Sequence, residues 1–329
     1  MKNRLVLGID EAGYGPSMGP LVIGATVWRV PINISIAAMA EILEPELRPV
    51  PRGRSDDWIS IGDSKKILVG KNGWQSLCSG ARWQLEHLWG QQDDWWSHAS
   101  KLASSDWNRA RAVAWYEHLD APLLVFEAAD NDAIQHAQQR ADSKLAFAGI
   151  ELLAAKARLI DEPFFNQQME DLGNKATLLS ESSLALAKEL CRECIDGNEI
   201  ESIEIYCDKH GGRNRYQSLL MHCFDDEWFT IDSESKTLSQ YHATWKSYPL
   251  SCQFQVGGDS LVPSAAASIL AKWLREVCML SLNKFWQSKS TKTLVPTAGY
   301  YVDAVRFSAE IDSISESVGI SKQQWWRSR

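Results

Sequence analysis

Residues 4–31 have the sequence RLVLGIDEAGYGPSMGPLVIGATVWRVP, and they decide how the chain begins to fold. A first apolar run ends at the acids Asp10 and Glu11, and a turn rich in Gly and Pro follows at residues 12–20. A second apolar run covers residues 21–30. Two apolar runs joined by such a turn predict a long β-hairpin, with two carboxylates where the first strand ends.

Two further acids occupy comparable places. Residues 203–208 (IEIYCD) predict a strand that ends at Asp208. Asp259 follows two glycines and precedes residues 263–283, whose Ala and Leu content and 3.6-residue period predict a long helix. Taken singly, each acid is more typical of a helix cap or a solvated turn, and the sequence leaves open whether the acids converge.

Convergent carboxylates would have a specific chemistry. Like charges that are buried together are costly unless they take up protons or surround a cation. Carboxylate oxygens suit Mg²⁺ or Mn²⁺ better than zinc, and a pair of such ions activates water against a phosphodiester. The acids therefore indicate a nuclease site, provided that the fold brings them together.

The composition limits the other classes of function. With 329 residues and 45% apolar side chains, the chain is long enough to bury a core. It has no apolar run near the length of a membrane span, and the first apolar stretch is too short for a signal peptide, so we expect a cytoplasmic protein without a membrane partner. Among the seven cysteines, Cys191 and Cys194 form a single C-x-x-C within a helical pattern, which favours buried thiols over a zinc site.

The charge is unevenly distributed. A net charge of −8 argues against a protein that coats nucleic acid without specificity. Residues 260–329 nevertheless carry nine basic and five acidic residues, whereas residues 73–140 carry five basic and nine acidic ones. If the protein binds a polyanion, the C-terminal part is expected to bind it.

Five blocks of sequence, in order, resemble the type 2 ribonuclease H (ribonuclease HII) family. They are GIDEAGYGP at 8–16 with GP at 19–20, DSKK at 63–66, the strand that ends at Asp208, Asp259 followed by AAASILAK at 265–272, and GY at 299–300. The resemblance implies an α/β, RNase H-like fold with a mixed central sheet flanked by helices. It places the catalytic domain in residues 1–72 and 141–329.

The resemblance also implies a reaction and its catalytic residues. The reaction is hydrolysis of RNA in an RNA–DNA hybrid, or at a ribonucleotide embedded in duplex DNA, leaving 3′-hydroxyl and 5′-phosphate ends. Two Mg²⁺ or Mn²⁺ ions are expected as cofactors. The residues implied as metal ligands are Asp10, Glu11, Asp208 and Asp259, with Asp10 bridging both ions.

Substrate contacts are expected from a wider set of residues. The 2′-hydroxyl distinguishes RNA from DNA, and lysines pair with phosphates as point charges. The candidates are Gly13, Tyr14, Gly15, Lys65, Arg213, Arg215, Ser268, Lys272 and Tyr300. The family has arginine where this chain has Tyr14, and we hypothesise that Arg213 or Arg215 contacts a phosphate and partly compensates.

The remaining segment, residues 73–140, has no counterpart in the family. It holds seven of the chain's 15 tryptophans and predicts a mainly helical, Trp-rich insertion. Tryptophans can stack on single-stranded bases, but the negative local charge favours helix packing. A protein partner for this insertion has no support in the sequence.

Three other interpretations compete with this one. A divergent relative could cut other hybrids or structured nucleic acid through the same chemistry. A non-catalytic nucleic-acid-binding or scaffold protein could retain the fold, although an intact acid cluster without metal would burden stability. A dinucleotide-binding loop at residues 13–19 is disfavoured because the glycine spacing is wrong and Pro16 interrupts it.

Overall fold

The structure is a computed structural model that describes residues 2–44, 46–48, 59–69, 72–92, 94–117, 119 and 131–328. For residues 131–134 and for Asp259, it describes the backbone alone.

Nine strands lie in the described ranges. They are β1 Asn3–Ala12, β2 Leu21–Pro31, β3 Leu47–Arg48, β4 Ile59–Ser60, β5 Glu151–Ile160, β6 Ile200–Asp208, β7 Thr230–Glu234, β8 Leu238–Trp245 and β9 Tyr248–Gln255. Seven of them form one sheet in the order β5-β2-β1-β6-β9-β8-β7, and β3 pairs with β4 separately.

Helices connect and cover these strands. They are α1 Ala38–Leu43, α2 Ser64–Leu68, α3 Gly73–Trp89, α4 Trp95–Leu102, α5 Trp107–Arg111, α6 Asn131–Ala148, α7 Glu162–Leu172, α8 Lys175–Ile195, α9 Gln217–Cys223, α10 Val262–Lys289, α11 Tyr301–Ser317 and α12 Lys322–Trp325. Within the described part of the chain, none of them combines the length and hydropathy needed to cross a bilayer.

The large sheet is mixed. Strands β1 and β2 form the predicted antiparallel hairpin, with Asp10 opposite Gly24. Strand β1 runs parallel to β6, which runs parallel to β9. Helices cover both faces, so the mixed central sheet flanked by helices that the sequence predicts is confirmed. The one local difference is that Asp10 and Glu11 lie inside the end of β1 rather than after it.

The two faces of the sheet have separate cores because side chains alternate along a strand. On β1, Leu5, Leu7 and Ile9 face a core that includes the apolar side of α8. Val6 faces the other core, which α10 dominates. The long α10 therefore lies against the face of β1 that carries the even-numbered residues, the face to which Asp10 belongs by alternation.

Two glycines let α10 approach the hairpin closely. A side chain at Gly8 would lie 2.0 Å from the carbonyl carbon of Pro263, and one at Gly24 would lie 2.4 Å from the carbonyl oxygen of Ala267. The hydroxyl of Thr26 donates to the Pro263 carbonyl at 2.8 Å. The beginning of α10 thus packs directly against the β1–β2 hairpin, whose first strand carries Asp10.

The Trp-rich segment packs into the α10 core. Trp83, Trp95, Trp107 and Trp115 are buried. The Trp83 ring lies 6.4 Å from that of Trp28 on β2, and Trp95 makes an edge contact at 6.2 Å with Trp273 on α10. These indoles serve packing in this structure, and the division of the chain into a catalytic domain and an insertion remains a prediction.

Two further features lie on the α8 face of the sheet and at its β7 edge. Cys191 and Cys194 are free, buried thiols on α8, and burial raises the pKa of both. Residues 232–245 contribute to β7 and β8. Strand β7 forms the edge of the sheet and is largely exposed.

Candidate active site

The acids of β1 and β6 end side by side. Ile9 pairs with Cys207 in the parallel register, so the next residues along the two strands are Asp10 and Asp208. Asp208 in turn pairs with Gln255, the last residue of β9. Because parallel strands present the same ends at one edge, this register gathers three acid-bearing segments there.

Hydrogen bonds join the third segment to the second. The N–H groups of Gly257 and Gly258 donate to Oδ1 of Asp208 at 3.1 and 3.3 Å. A Cβ at Gly258 would lie 3.0 Å from the Asp208 nitrogen, so the two backbones are close. The backbone of Asp259 lies in the 3-10 turn Gly258–Ser260, but its side chain is outside the described residues.

The electrostatics indicate that the carboxylates are close enough to interact. Burial first, and then the negative charges of Asp10 and Asp208, raise the pKa of Glu11 to about 8, whereas Lys65 opposes the shift. A carboxyl group whose neighbours are carboxylates favours either a proton or a cation.

The carboxylates gathered at this edge suit a hard cation. Among the described side chains, no group of three or more acidic, His or Cys residues is arranged as a metal site. The Asp259 side chain does not belong to those described, although its backbone lies beside Asp208. Oxygen donors of this kind are the ligands of Mg²⁺ and Mn²⁺.

The turn after β1 is hydrogen-bonded to the segment that precedes α11. Gly13 and Gly19 have φ values of +90° and +81°, which glycine adopts without strain. The N–H groups of Ser17 and Met18 both donate to the carbonyl of Gly299, at 2.8 and 3.2 Å. The turn is therefore fastened to the Gly-Tyr pair that precedes α11.

Tyr14 lies between acids and cations. Burial and the charge of Glu11 raise the pKa of Tyr14, and Arg213 lowers it. The ammonium of Lys175, at the start of α8, is 4.8 Å from the centre of the Tyr14 ring. Arg213 donates to the Thr177 hydroxyl at 3.2 Å on the same helix. The sequence did not identify Lys175, since only the tertiary packing of α8 brings it beside the turn.

The three cations of the turn after β6 have different environments. Lys209 is buried, and its ammonium donates to Asn214 at 2.9 Å and to Ser239 at 3.0 Å, so it holds the turn together. Arg215 is 89% exposed and lies 3.8 Å from Glu234. Of the two arginines proposed to contact phosphate, Arg213 is the one that the structure places near Tyr14.

The remaining candidates lie at various depths. Lys65 is exposed on α2 and near enough to influence the pKa of Glu11. Ser268 is buried and donates to the Ser64 hydroxyl at 3.0 Å, so in this structure it anchors α2. Lys272 is mostly buried and pairs with Glu276 at 2.7 Å.

Tyr300 is the only aromatic candidate besides Tyr14, and it is accessible. Its side chain is 48% exposed, and the guanidinium of Arg275 lies 5.9 Å from its ring centre. Since Gly299 binds the turn directly, Tyr300 lies next to the turn that carries Gly13 and Gly15. About half of Tyr300 is therefore accessible to solvent beside this turn.

No protein-family model and no curated protein sequence matches the chain. Among solved structures, it is similar to the ribonuclease H2 of Pyrococcus horikoshii OT3, with a TM-score of 0.41, 14% identity, and coverage of 98% of this chain and 92% of that one. It is also similar to RNase HII of Archaeoglobus fulgidus, solved with PCNA, with a TM-score of 0.41, 12% identity, and coverage of 99% and 94%.

A third similar structure is Bst-RNase HIII in complex with Mn²⁺, with a TM-score of 0.42, 13% identity, and coverage of 99% of this chain and 66% of that one. Likenesses at this level carry no information about the reaction.

The acids at the ends of β1 and β6 form an anionic centre with cations nearby. Asp10, Glu11 and Asp208 carry the carboxylates of this centre. Lys65 acts to lower the pKa of Glu11, Arg213 acts to lower the pKa of Tyr14, and the Lys175 ammonium lies 4.8 Å from the centre of the Tyr14 ring. Such an arrangement suits a divalent cation at the centre and phosphates of a polyanion beside it.

Proposed function

We propose that this chain is a metal-dependent endoribonuclease that hydrolyses the RNA strand of RNA–DNA hybrids, or ribonucleotides embedded in duplex DNA. The observation that carries the proposal is the meeting of Asp10, Glu11 and Asp208 at one sheet edge, with the backbone of Asp259 directly after Gly258, whose N–H donates to Asp208. Acids from such distant parts of the chain have no structural need to meet, and their mutual repulsion is unfavourable.

Two Mg²⁺ or Mn²⁺ ions would be held by Asp10, Glu11, Asp208 and Asp259. Such ions lower the pKa of an attacking water and stabilise charge on the phosphodiester, which leaves 3′-hydroxyl and 5′-phosphate products. The stiff strand backbone restricts the reach of Asp10 and Asp208, so these two residues fix where the scissile phosphate is placed. The side chain of Glu11 has one more rotatable bond, so its carboxylate would adjust to the positions of the other two.

The residues around the acids would orient the substrate. Lys65, Lys175 and Arg213 bind phosphates as positive charges near the centre. The turn at Tyr14 approaches the ribose, because the space beside Gly15 is open and leaves room for a nucleic-acid backbone. Tyr300 offers a ring for stacking on a sugar or base.

A second candidate function is nucleic-acid binding without catalysis. It is favoured by the Tyr14 turn, which lacks the arginine of the family that it resembles. For either function, we also propose the cytoplasmic location that is expected from the sequence.

Cleavage of three labelled duplexes separates these functions. A long RNA–DNA hybrid, a DNA duplex with one ribonucleotide and an all-DNA duplex are incubated with Mg²⁺ or Mn²⁺ and then with a chelator. We expect cleavage of the first two only, dependent on metal and lost in Asp10→Asn. Tight hybrid binding by the wild-type chain without cleavage in either metal would support the binding function instead.

A further inference from the structure

The turn at Tyr14 is supported by a residue from the other end of the described chain. Arg327, just after α12, is only 2% exposed. Its guanidinium donates to the carbonyl oxygens of Gly13 at 2.5 Å and of Tyr14 and Gly19 at 3.4 Å. Its backbone N–H donates to the carbonyl of Ser17 at 2.8 Å. One arginine thus bonds four carbonyls of the same turn.

Arg327 is itself held firmly. Its guanidinium lies 4.0 Å from the centre of the Phe165 ring on α7. The amide of Asn166 donates to the carbonyl of Trp326 at 2.9 Å and accepts from the N–H of Ser328 at 2.7 Å. Trp325 is fully buried against Trp286 of α10. The segment after α12 is therefore docked, and Arg327 has little freedom.

A buried carboxylate completes the support. Glu162, at the start of α7, is fully buried and accepts from the N–H of Gly19 at 3.0 Å. The hydroxyl of Tyr116 donates to the same oxygen at 3.2 Å. Burial and the nearby charge of Arg275 lower the pKa of Arg327 to about 9, while Glu162 opposes the shift. Two buried arginines beside one buried acid are costly, which indicates a role beyond packing.

The direction of these bonds determines what the turn exposes. In a trans peptide, the C=O of one residue and the N–H of the next point in opposite directions. The carbonyls of Gly13 and Tyr14 point inward to Arg327, so the N–H groups of Tyr14 and Gly15 point outward. Within the described residues, neither N–H donates to another group. Two successive free N–H groups form a small receptor for a hydroxyl or an anion.

We propose that Arg327 is a positioning residue, which fixes the Gly13-Tyr14-Gly15 turn so that the N–H groups of Tyr14 and Gly15 meet the ribose hydroxyl of the substrate. This inference rests on the proposed function. It assigns ribonucleotide recognition in part to a residue that touches no substrate. Recognition would therefore depend on the docking of the segment after α12.

The test uses the full chain with Arg327→Gln and Arg327→Lys, and with Arg192→Gln as the matched control. Arg192 is an exposed arginine on α8 that pairs with Asp225, far in sequence from the turn. Lysine keeps the positive charge but cannot reach three carbonyls at once. Thermal unfolding first establishes that each variant is folded.

The first measurement is hydrogen exchange of the Ser17, Met18 and Gly19 amides. In the wild-type chain these amides are protected by hydrogen bonds to Gly299 and Glu162. We expect faster exchange in both Arg327 variants and unchanged exchange in the control. The second measurement is the ratio of dissociation constants for duplex DNA with one ribonucleotide and for the all-DNA duplex, with Ca²⁺ to prevent cleavage. Loss of about one hydrogen bond to the hydroxyl should reduce the discrimination between the two duplexes about tenfold.

The two measurements separate the inference from the proposed function. A folded Arg327→Gln variant with wild-type exchange and a wild-type ratio would overturn the positioning role. If the wild-type chain binds both duplexes equally, the recognition role fails, whereas cleavage of the long hybrid still decides the proposed function. Faster exchange in the variants would in that case still establish that Arg327 holds the turn.

Discussion

The N–H group of Gly258 donates a hydrogen bond to Oδ1 of Asp208 at 3.3 Å, and it connects the segment before α10 to the end of β6. This bond occupies one oxygen of Asp208 and brings the backbone of Asp259 beside it. The site is thus assembled by main-chain contacts as well as by strand register, which makes single substitutions in it informative.

Asp208→Asn should keep the structure and remove the chemistry. The amide oxygen of asparagine still accepts from Gly257 and Gly258, but one negative charge is lost. We expect cleavage of a hybrid to fall on the order of a hundredfold or more, because a metal ligand has been removed. The pKa of Glu11 should fall as well, since Asp208 raises it. Cleavage kinetics measure the first effect, and an NMR titration of the Glu11 carboxyl measures the second. Asp232→Asn, on the exposed edge strand β7, is the control for both measurements.

The stability of the metal-free protein should fall as the pH rises. The pKa of Glu11 is about 8 in the folded chain against 4.5 for the free side chain, so the folded state binds more protons between these values. Its stabilising contribution is fully present below pH 4.5 and is lost as the pH passes through about 8. Added Mg²⁺ or Mn²⁺ should therefore raise the melting temperature more at the alkaline end than at the acid end.

Glu11→Gln is the control for this pH dependence. Glutamine has no proton to lose, so we expect a flatter stability curve and a smaller thermal shift with metal. Equal metal-induced shifts in the wild type and in Glu11→Gln at all pH values would contradict the assignment of Glu11 as a ligand.

The cations beside Tyr14 should contribute to binding through charge. Replacement of Lys175 or Arg213 by glutamine should weaken hybrid binding and reduce the slope of log K against log salt by about one each. Arg215→Gln should have a smaller effect, because its side chain is 89% exposed and lies near Glu234. Fluorescence anisotropy over a salt series measures these slopes, and unchanged slopes for Lys175 and Arg213 would remove them from the interface.

The close approach of α10 to β1 should make Gly8 intolerant of substitution. A methyl group there would lie 2.0 Å from the Pro263 backbone, which cannot rotate away. We expect Gly8→Ala to reduce the free energy of unfolding by about 1–3 kcal/mol or more, as overpacking does. Gly212→Ala is the matched control, because a methyl group at that position would meet no atom within 4 Å. Urea denaturation compares the two, and equal stabilities would argue against this packing.

Local patterns predicted much of the fold. Apolar runs located β1, β2 and β6, and the helical period located α10. The same runs placed acids at strand ends, where parallel pairing then brought Asp10 and Asp208 together. Two contacts were not predicted from these patterns: Ser268 is buried against Ser64, and Lys272 is paired with Glu276.

By itself, the sequence determined which segments are strands and helices and where the acids lie along them, because hydrophobic periodicity is a local property. Only the tertiary structure decided that Lys175 lies over Tyr14 and that Arg327 bonds the carbonyl of Gly13. These contacts join residues that are distant along the chain. They depend on how whole elements pack, and no local period records that packing.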